Sequence, residues 1–200
     1  NSKFNHEIII HNNGENEPST DFIKVNEIVY SKTDYNAGIC EGVNLGAKKS
    51  TSNYIVYAHD DFYFLPGWDL CFKEEIEKLK DNLFYFSGTM VQNGQVNFDC
   101  GQNINDFDEN KLLLNNDKIL YHDFQGSTWA PHIIHKDIWH KVGGFSEEFF
   151  PGTGSDPDLN MKLWNIGVRI FKGLGKSKVY HFGSIVTRKK FKNDKSVTTE

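Results

Sequence analysis

Short apolar runs alternate along this chain with segments of helical periodicity, and Gly, Asn, Asp and Pro lie between them. Apolar runs of about four to eight residues with such flanks are typical of buried strands. The clearest runs are residues 7–11, 54–58 and 84–91. The resulting order of strand, loop and helix predicts an α/β domain with a mostly parallel central sheet flanked by helices.

The segment after Asn36 predicts a helix that is unusual for its small residues. Asn36 is placed to cap it, and apolar side chains recur along one face. Glycine recurs along the same helix at positions 38, 42 and 46. Because glycine lowers helix stability, this stripe indicates a close backbone approach, made either by a packed strand or by a ligand.

Further helices and strands follow from the same kind of pattern. Helices are predicted over residues 68–79, 136–142 and about 156–166, and strands over 129–135, 168–171 and 178–182. Gly143 ends the second of these helices, and Asp156 is placed to cap the third with Pro157 in its first turn.

The 200 residues, 38% of them hydrophobic, are enough for one sizeable core and too few for two large domains. We therefore predict a single domain over residues 1–200. Two halves, 1–92 and 119–184, flank an irregular loop rich in Asn and Asp at 93–118, and a basic tail follows at 185–200.

The formal net charge of −5 argues against a nucleic-acid partner, because binding to phosphate backbones needs clustered Lys and Arg. Basic residues cluster only in the tail, for which a solvated segment is the first interpretation and peripheral membrane contact the alternative. No apolar run approaches the roughly 20 residues that cross a bilayer. Three widely spaced cysteines predict reduced thiols and a cytoplasmic location.

Two adjacent carboxylates, Asp60 and Asp61, follow the strand predicted at 54–58. Open α/β sheets bind their ligands just beyond the carboxyl ends of their strands. Two like charges this close need compensation, and oxygen ligands suit Mg²⁺ or Mn²⁺ bridging a diphosphate. For an isolated pair, a solvated turn is the alternative.

Several segments, taken in order, resemble the family-2 glycosyltransferases, which have the GT-A nucleotide-diphospho-sugar transferase fold. The resemblance covers residues 7–184. Its parts are the helix with Asn36 and Asn44 that leads to the Asp-rich HDD at 59–61, the segments GGFSE at 143–147 and SDPDL at 155–159, and the late strand with His181. Each part alone is weak, and their order and spacing make the match specific.

The resemblance implies transfer of a sugar from a nucleotide-diphosphate donor, a UDP- or GDP-sugar, to an acceptor hydroxyl, with inversion and a divalent cation, Mn²⁺ or Mg²⁺. The acceptor class stays open between a glycan, a lipid-linked and a small-molecule acceptor. Residues 1–92 become the donor and metal half, and 119–184 the acceptor and catalytic half.

The implied site residues fall into four roles. Asp156 is the general base. Asp61 and His181 are the metal ligands, with a core histidine as the alternative for His181. The implied donor-binding residues are Asn12, Asn13, Asn36, Asn44 and Asp60, and the acceptor residues are Trp129 and Asp158. An ordinary pKa of about 4 would leave Asp156 ionised at neutral pH, and its helix N-terminus would favour the anion.

The chain departs from the family pattern in three ways. The family's first strand and helix have no counterpart before residues 7–11, the usual acidic pair is Asn12 and Asn13, and Ser155 replaces a glutamate. A non-catalytic domain that binds sugars or nucleotide sugars is therefore an alternative. A sugar-nucleotide nucleotidyltransferase is a second one, although its Gly-rich basic phosphate loop is missing from the sequence.

Overall fold

The computed structural model describes residues 1–14, 20–126 and 130–183. In order along the chain, the elements up to residue 91 are β1 (Ile9–Asn13), α1 (Thr20–Val25), β2 (Val29–Thr33), α2 (Gly38–Ala47), β3 (Tyr54–Tyr57), β4 (Phe62–Phe64), α3 (Trp68–Ile76) and β5 (Phe84–Val91). The second half contains α4 (Glu109–Leu114), a 3-10 turn (Asn116–Lys118), β6 (Phe124–Gln125), β7 (His132–His135), α5 (Lys136–Val142), α6 (Ser155–Asn165) and β8 (Ile170–His181).

Within these described ranges the strands form two sheets. Strands β1 and β2 are a parallel pair, and the larger sheet has the order β3-β7-β5-β8-β4, with β6 also paired to β8. Strand β5 is parallel to β8, whereas β4 and β6 are antiparallel to β8 and β7 is antiparallel to β5. The α/β architecture is confirmed, but the sheet is mixed rather than mostly parallel, because apolar periodicity predicts strands without their direction.

Several elements lie where the periodicity predicted them. Strand β5 and helix α5 have the predicted bounds, and Gly143 ends α5 with φ of 77°. The strands predicted at 168–171 and 178–182 are instead one strand, β8, which bulges opposite β5 between Ser87 and Thr89. The segment 93–118 is not wholly irregular, since it contains α4 and its fully buried Leu112.

The chain divides into two compact units. The first consists of Asn1–Phe4, Val56–Ile133 and Ile170–Glu200. Every residue of β5 is buried in it, and Trp68 and Phe72 of α3 pack with Phe84 and Phe86. Burying each such side chain stabilises the fold by about 1.5–3 kcal/mol, so β5 and α3 contribute much of the core of this unit.

The second unit consists of Asn5–Ile55 and Ile134–Arg169. Helix α2 packs closely on β1 in it: a Cβ added at Gly42 would lie 2.8 Å from Asn13 Oδ1, and one at Gly46 would lie 3.8 Å from the Cβ of His11. The glycines therefore allow a strand to approach the helix. Asn36 does not cap α2 in the predicted way, because Ala37 is the residue before the helix, although Asn36 Oδ1 accepts from the Gly38 amide at 3.0 Å.

Helix α6 also begins differently from the prediction. Gly154, with φ of 87°, precedes the helix, and Asp156 lies inside the first turn rather than at the cap. Its apolar Leu159 and Leu163 are fully buried, as their spacing predicted. None of the helices in the described part of the chain is long and apolar enough to cross a membrane.

Candidate functional site

Strand pairing brings Asp61 beside His181. Asp61 precedes β4, whose first residue, Phe62, pairs with His181 at the end of β8. The amide of Phe182 also donates to the backbone carbonyl of Asp61 at 3.1 Å. As a result, His181 Nε2 lies 3.2 Å from Asp61 Oδ2, at the end of the sheet where β8 ends.

His59 completes a group of three. Its Nδ1 lies 4.0 Å from Asp61 Oδ1, and one ligand atom from each of His59, Asp61 and His181 lies within 4.8 Å of the others. The ring of Phe62 stacks on His59 with 4.8 Å between centroids, and meets His181 edge to face at 5.2 Å. Phe62 therefore holds both imidazoles in place beside the carboxylate.

The electrostatics of the group suit a cation. Burial lowers the pKa of His59, with Asp61 opposing part of that shift, so this ring is neutral at physiological pH and able to ligate a metal. The second imidazole, His181, has its Nδ1 3.3 Å from the carbonyl oxygen of Asn93. A carbonyl only accepts, so this contact is a hydrogen bond when Nδ1 carries a proton, and that tautomer leaves the lone pair of Nε2 for a metal ion.

The lone pair of His181 Nε2 then faces a carboxylate oxygen at 3.2 Å. Two acceptors this close need a positive charge between them, either a proton or a metal ion. Two ligand atoms that each lie about 2.1 Å from one cation at a right angle are about 3.0 Å apart. The spacing and the donor set of two imidazoles and one carboxylate fit a divalent metal ion.

Sequence reasoning named Asp61 and His181 and missed His59. The signal was present, because His59 directly precedes the two aspartates after β3. Asp60, by contrast, is exposed in the turn and outside the group of three. Its contact with the donor stays a prediction.

Asp156 lies in the first turn of α6 and is partly buried. Burial raises the pKa of its carboxyl to about 7. The expected ordinary value near 4 is therefore wrong: the helix N-terminus favours the anion, but loss of solvent outweighs it. A base whose pKa is close to the working pH combines a sufficient ionised fraction with a strong tendency to take a proton.

Asp158, two positions further along the same helix, belongs to a polar network. Ser146 donates to its Oδ2 at 2.6 Å, and Lys162 Nζ lies 4.0 Å away while donating to the Gly144 carbonyl at 2.6 Å. The network ties the GGFSE segment to α6. A contact of Asp158 with acceptor stays a prediction, and the other acceptor residue, Trp129, lies outside the described residues, as does the basic tail.

The predicted donor-binding asparagines take different positions. Asn12 donates to the Tyr30 hydroxyl at 3.1 Å, and Asn13 donates to the Gly38 carbonyl at 3.0 Å. Asn44 is buried, and its amide bonds to both backbone groups of Phe145 and to Glu147 Oε1. It joins α2 to the segment after α5. The donor-binding role of these residues and of Asn36 stays a prediction.

Residues 1–139 match the profile of glycosyl transferase family 2. The match covers more than half of the chain. The chain belongs to glycosyl transferase family 2. No curated protein has significant sequence similarity to this family 2 chain.

Solved structures show the same fold. The domain is similar to TarS 1-349 from S. aureus, with a TM-score of 0.62, 11% identity, and coverage of 88% of this chain and 50% of that one. It is also similar to GalNAc-T7, in a crystal structure with UDP, GalNAc and Mn²⁺, with a TM-score of 0.62, 14% identity, and coverage of 88% and 37%. For TarS 1-349 in complex with UDP-GlcNAc the TM-score is 0.57, at 12% identity and coverage of 87% and 48%.

These similarities identify the GT-A glycosyltransferase fold, as the resemblance in the sequence implied. This family 2 chain spans half or less of the length of the chains in those three structures.

Proposed function

We propose that this domain transfers a sugar from a UDP-sugar to an acceptor hydroxyl with the help of a divalent cation. The observation that carries the proposal is the group of His59, Asp61 and His181 in a chain of glycosyl transferase family 2. Two of the similar structures contain UDP or UDP-GlcNAc, which favours uridine over guanosine donors.

The cation is proposed to be Mn²⁺ rather than Mg²⁺. Imidazole nitrogen is a better ligand for transition metals than for Mg²⁺, and this group has two imidazoles. A bound divalent cation would neutralise the charge that develops on the leaving diphosphate. The three side chains would hold the cation, and Phe62 would keep both rings in place.

Asp156 is proposed as the general base. The acceptor oxygen attacks the anomeric carbon, the bond to the diphosphate oxygen breaks, and the hydroxyl proton passes to the Asp156 carboxylate. One displacement from the face opposite the leaving group inverts the anomeric configuration. The raised pKa of Asp156, about 7, supports this role, because the carboxylate gains a proton readily at neutral pH.

The first test is turnover of purified protein with a panel of UDP- and GDP-sugars and Mn²⁺, followed as release of the nucleoside diphosphate. Slow hydrolysis of at least one donor is expected even without an acceptor. UDP and Mn²⁺ binding without any turnover would instead favour the non-catalytic binding domain.

The second test replaces the central ligand. Asp61→Asn removes the charged ligand, so we expect Mn²⁺ affinity to fall by about 10-fold or more, and Mn²⁺-dependent UDP binding with it. Calorimetric titration measures both. Asp60→Asn is the matched control, because it removes the same charge outside the group of three and should lower the affinity for Mn²⁺ alone much less than Asp61→Asn does. UDP binding that persists undiminished in excess EDTA would contradict the proposal.

A further inference from the structure

The turn after β5 lies directly beside His181. Val91, the last residue of β5, pairs with Tyr180 in the neighbouring parallel strand β8. Parallel strands in register continue side by side, so the residues that follow Val91 reach the level of His181. Asn93 is the residue of this turn that contacts the histidine.

Two contacts join Asn93 to His181, and they act on different parts of the histidine. Asn93 Nδ2 donates to the His181 backbone carbonyl at 3.1 Å, and His181 Nδ1 lies 3.3 Å from the Asn93 backbone carbonyl. Gly183 leaves space for the amide, since a Cβ there would lie 2.9 Å from Asn93 Nδ2. Asn93 therefore holds both the main chain and the ring of His181.

The turn is held in a backbone conformation that side chains other than glycine seldom adopt. Gln92 has φ of 59° and Asn93 φ of 51°. The left-handed conformation costs roughly 1–2 kcal/mol for an ordinary residue, and less for asparagine. Flanking hydrogen bonds hold it: Gln92 N donates to Val96 O at 2.6 Å, and Val96 N to Met90 O at 3.1 Å. Backbone strain of this kind clusters at functional sites.

We infer that Asn93 is a positioning residue, which fixes the orientation and the Nδ1–H tautomer of His181 so that Nε2 faces Asp61 and a metal ion. The inference rests on the proposed metal-dependent function. The proton on Nδ1 is directed to the Asn93 carbonyl, and the Asn93 amide holds that carbonyl in place by anchoring the turn to β8. Groups that orient a ligating histidine in this way typically change metal affinity by about 10–100-fold when they are lost.

Metal affinity without nucleotide provides the first measurement. Asn93→Gly keeps the left-handed backbone but removes the amide, so we expect Co²⁺ and Mn²⁺ affinity to fall by about 10-fold or more. Co²⁺ binding is followed by its visible absorption and Mn²⁺ binding by electron paramagnetic resonance. Gln92→Gly is the matched control, because it relieves the same backbone strain and leaves both Asn93 contacts in place. Wild-type affinity in Asn93→Gly would overturn the inference.

The tautomer of His181 provides a measurement that needs no metal. Long-range ¹H–¹⁵N correlation spectra of the metal-free protein should show a proton on Nδ1 of His181 in wild type, whether or not Nε2 also carries one beside Asp61, and a smaller Nδ1-protonated fraction in Asn93→Gly. A wild-type ring without a proton on Nδ1 would refute the positioning role. If wild type binds neither Co²⁺ nor Mn²⁺, the proposed metal-dependent function fails, and the tautomer still decides whether Asn93 orients the ring.

Discussion

At the scale of single residues, Asp156 is a carboxyl group whose pKa is set by burial rather than by its position at the start of a helix. Burial raises its pKa from 3.8 to about 7 in the folded protein. The folded state therefore holds this proton more tightly than the unfolded state. The stability that results is complete below about pH 4 and is lost as the pH rises to about 7.

Asp156→Asn should remove this pH dependence, because an amide does not titrate. We expect the variant to be more stable than wild type above pH 7, and the difference to shrink as the pH falls below 4. Thermal unfolding across pH 3.5–8 measures this. Parallel stability curves for the two proteins would show that the Asp156 carboxyl is not responsible.

The same carboxyl should control turnover. If Asp156 is the base, activity of wild type rises with pH through an apparent pKa near 7, and Asp156→Asn lowers turnover by about 10²-fold or more while donor binding stays near normal. The pH–rate profile and the UDP affinity of both proteins provide the test. Wild-type turnover in the variant would remove Asp156 from the role.

At the scale of elements, helix α2 and strand β1 offer a matched pair of substitutions. Replacing Gly46 by alanine places a methyl group 3.8 Å from the nearest atom, an ordinary contact, so the gain in helix propensity should stabilise the protein by up to about 1 kcal/mol. The same change at Gly42 places it 2.8 Å from Asn13 Oδ1. The added methyl group would displace the side-chain amide of Asn13, which donates to the Gly38 carbonyl.

We therefore expect Gly42→Ala to be less stable than Gly46→Ala by about 1 kcal/mol or more, measured by urea unfolding. If Asn13 also binds the donor, Gly42→Ala weakens UDP binding and Gly46→Ala does not. Equal stability of the two variants would show that α2 has room at Gly42 and does not need a glycine there.

At the scale of the whole molecule, ligand binding should appear as thermal stabilisation. A ligand at 100 times its dissociation constant stabilises the folded state by about 2.7 kcal/mol, which corresponds to a rise in Tm of roughly 5–10 °C for a chain of this size. We expect UDP with Mn²⁺ to produce this shift, GDP with Mn²⁺ a smaller one, and UDP in EDTA none. A larger shift with GDP would reverse the proposed donor preference.

Local patterns in the sequence were sufficient to predict several of the strands and helices. The bounds of β5 and α5 follow from apolar periodicity and from the glycines that end a helix, because those signals act over neighbouring residues. The motif order named Asp61 and His181 as candidate ligands, and the structure places these two side chains 3.2 Å apart. The same reasoning did not give strand direction, so the sheet was expected to be mostly parallel and is mixed.

The tertiary structure alone decided which residues distant in sequence lie together in the candidate site. His59 joins Asp61 and His181 because Phe62 pairs with His181, and Asn93 reaches that histidine because Val91 pairs with Tyr180. Register between strands sets these distances, and no local pattern records it. The pKa of Asp156 was likewise decided by the tertiary structure, because the loss of solvent around a carboxyl group depends on what packs against it in the fold. The sequence by itself determined which side chains are available, and packing decided which of them meet.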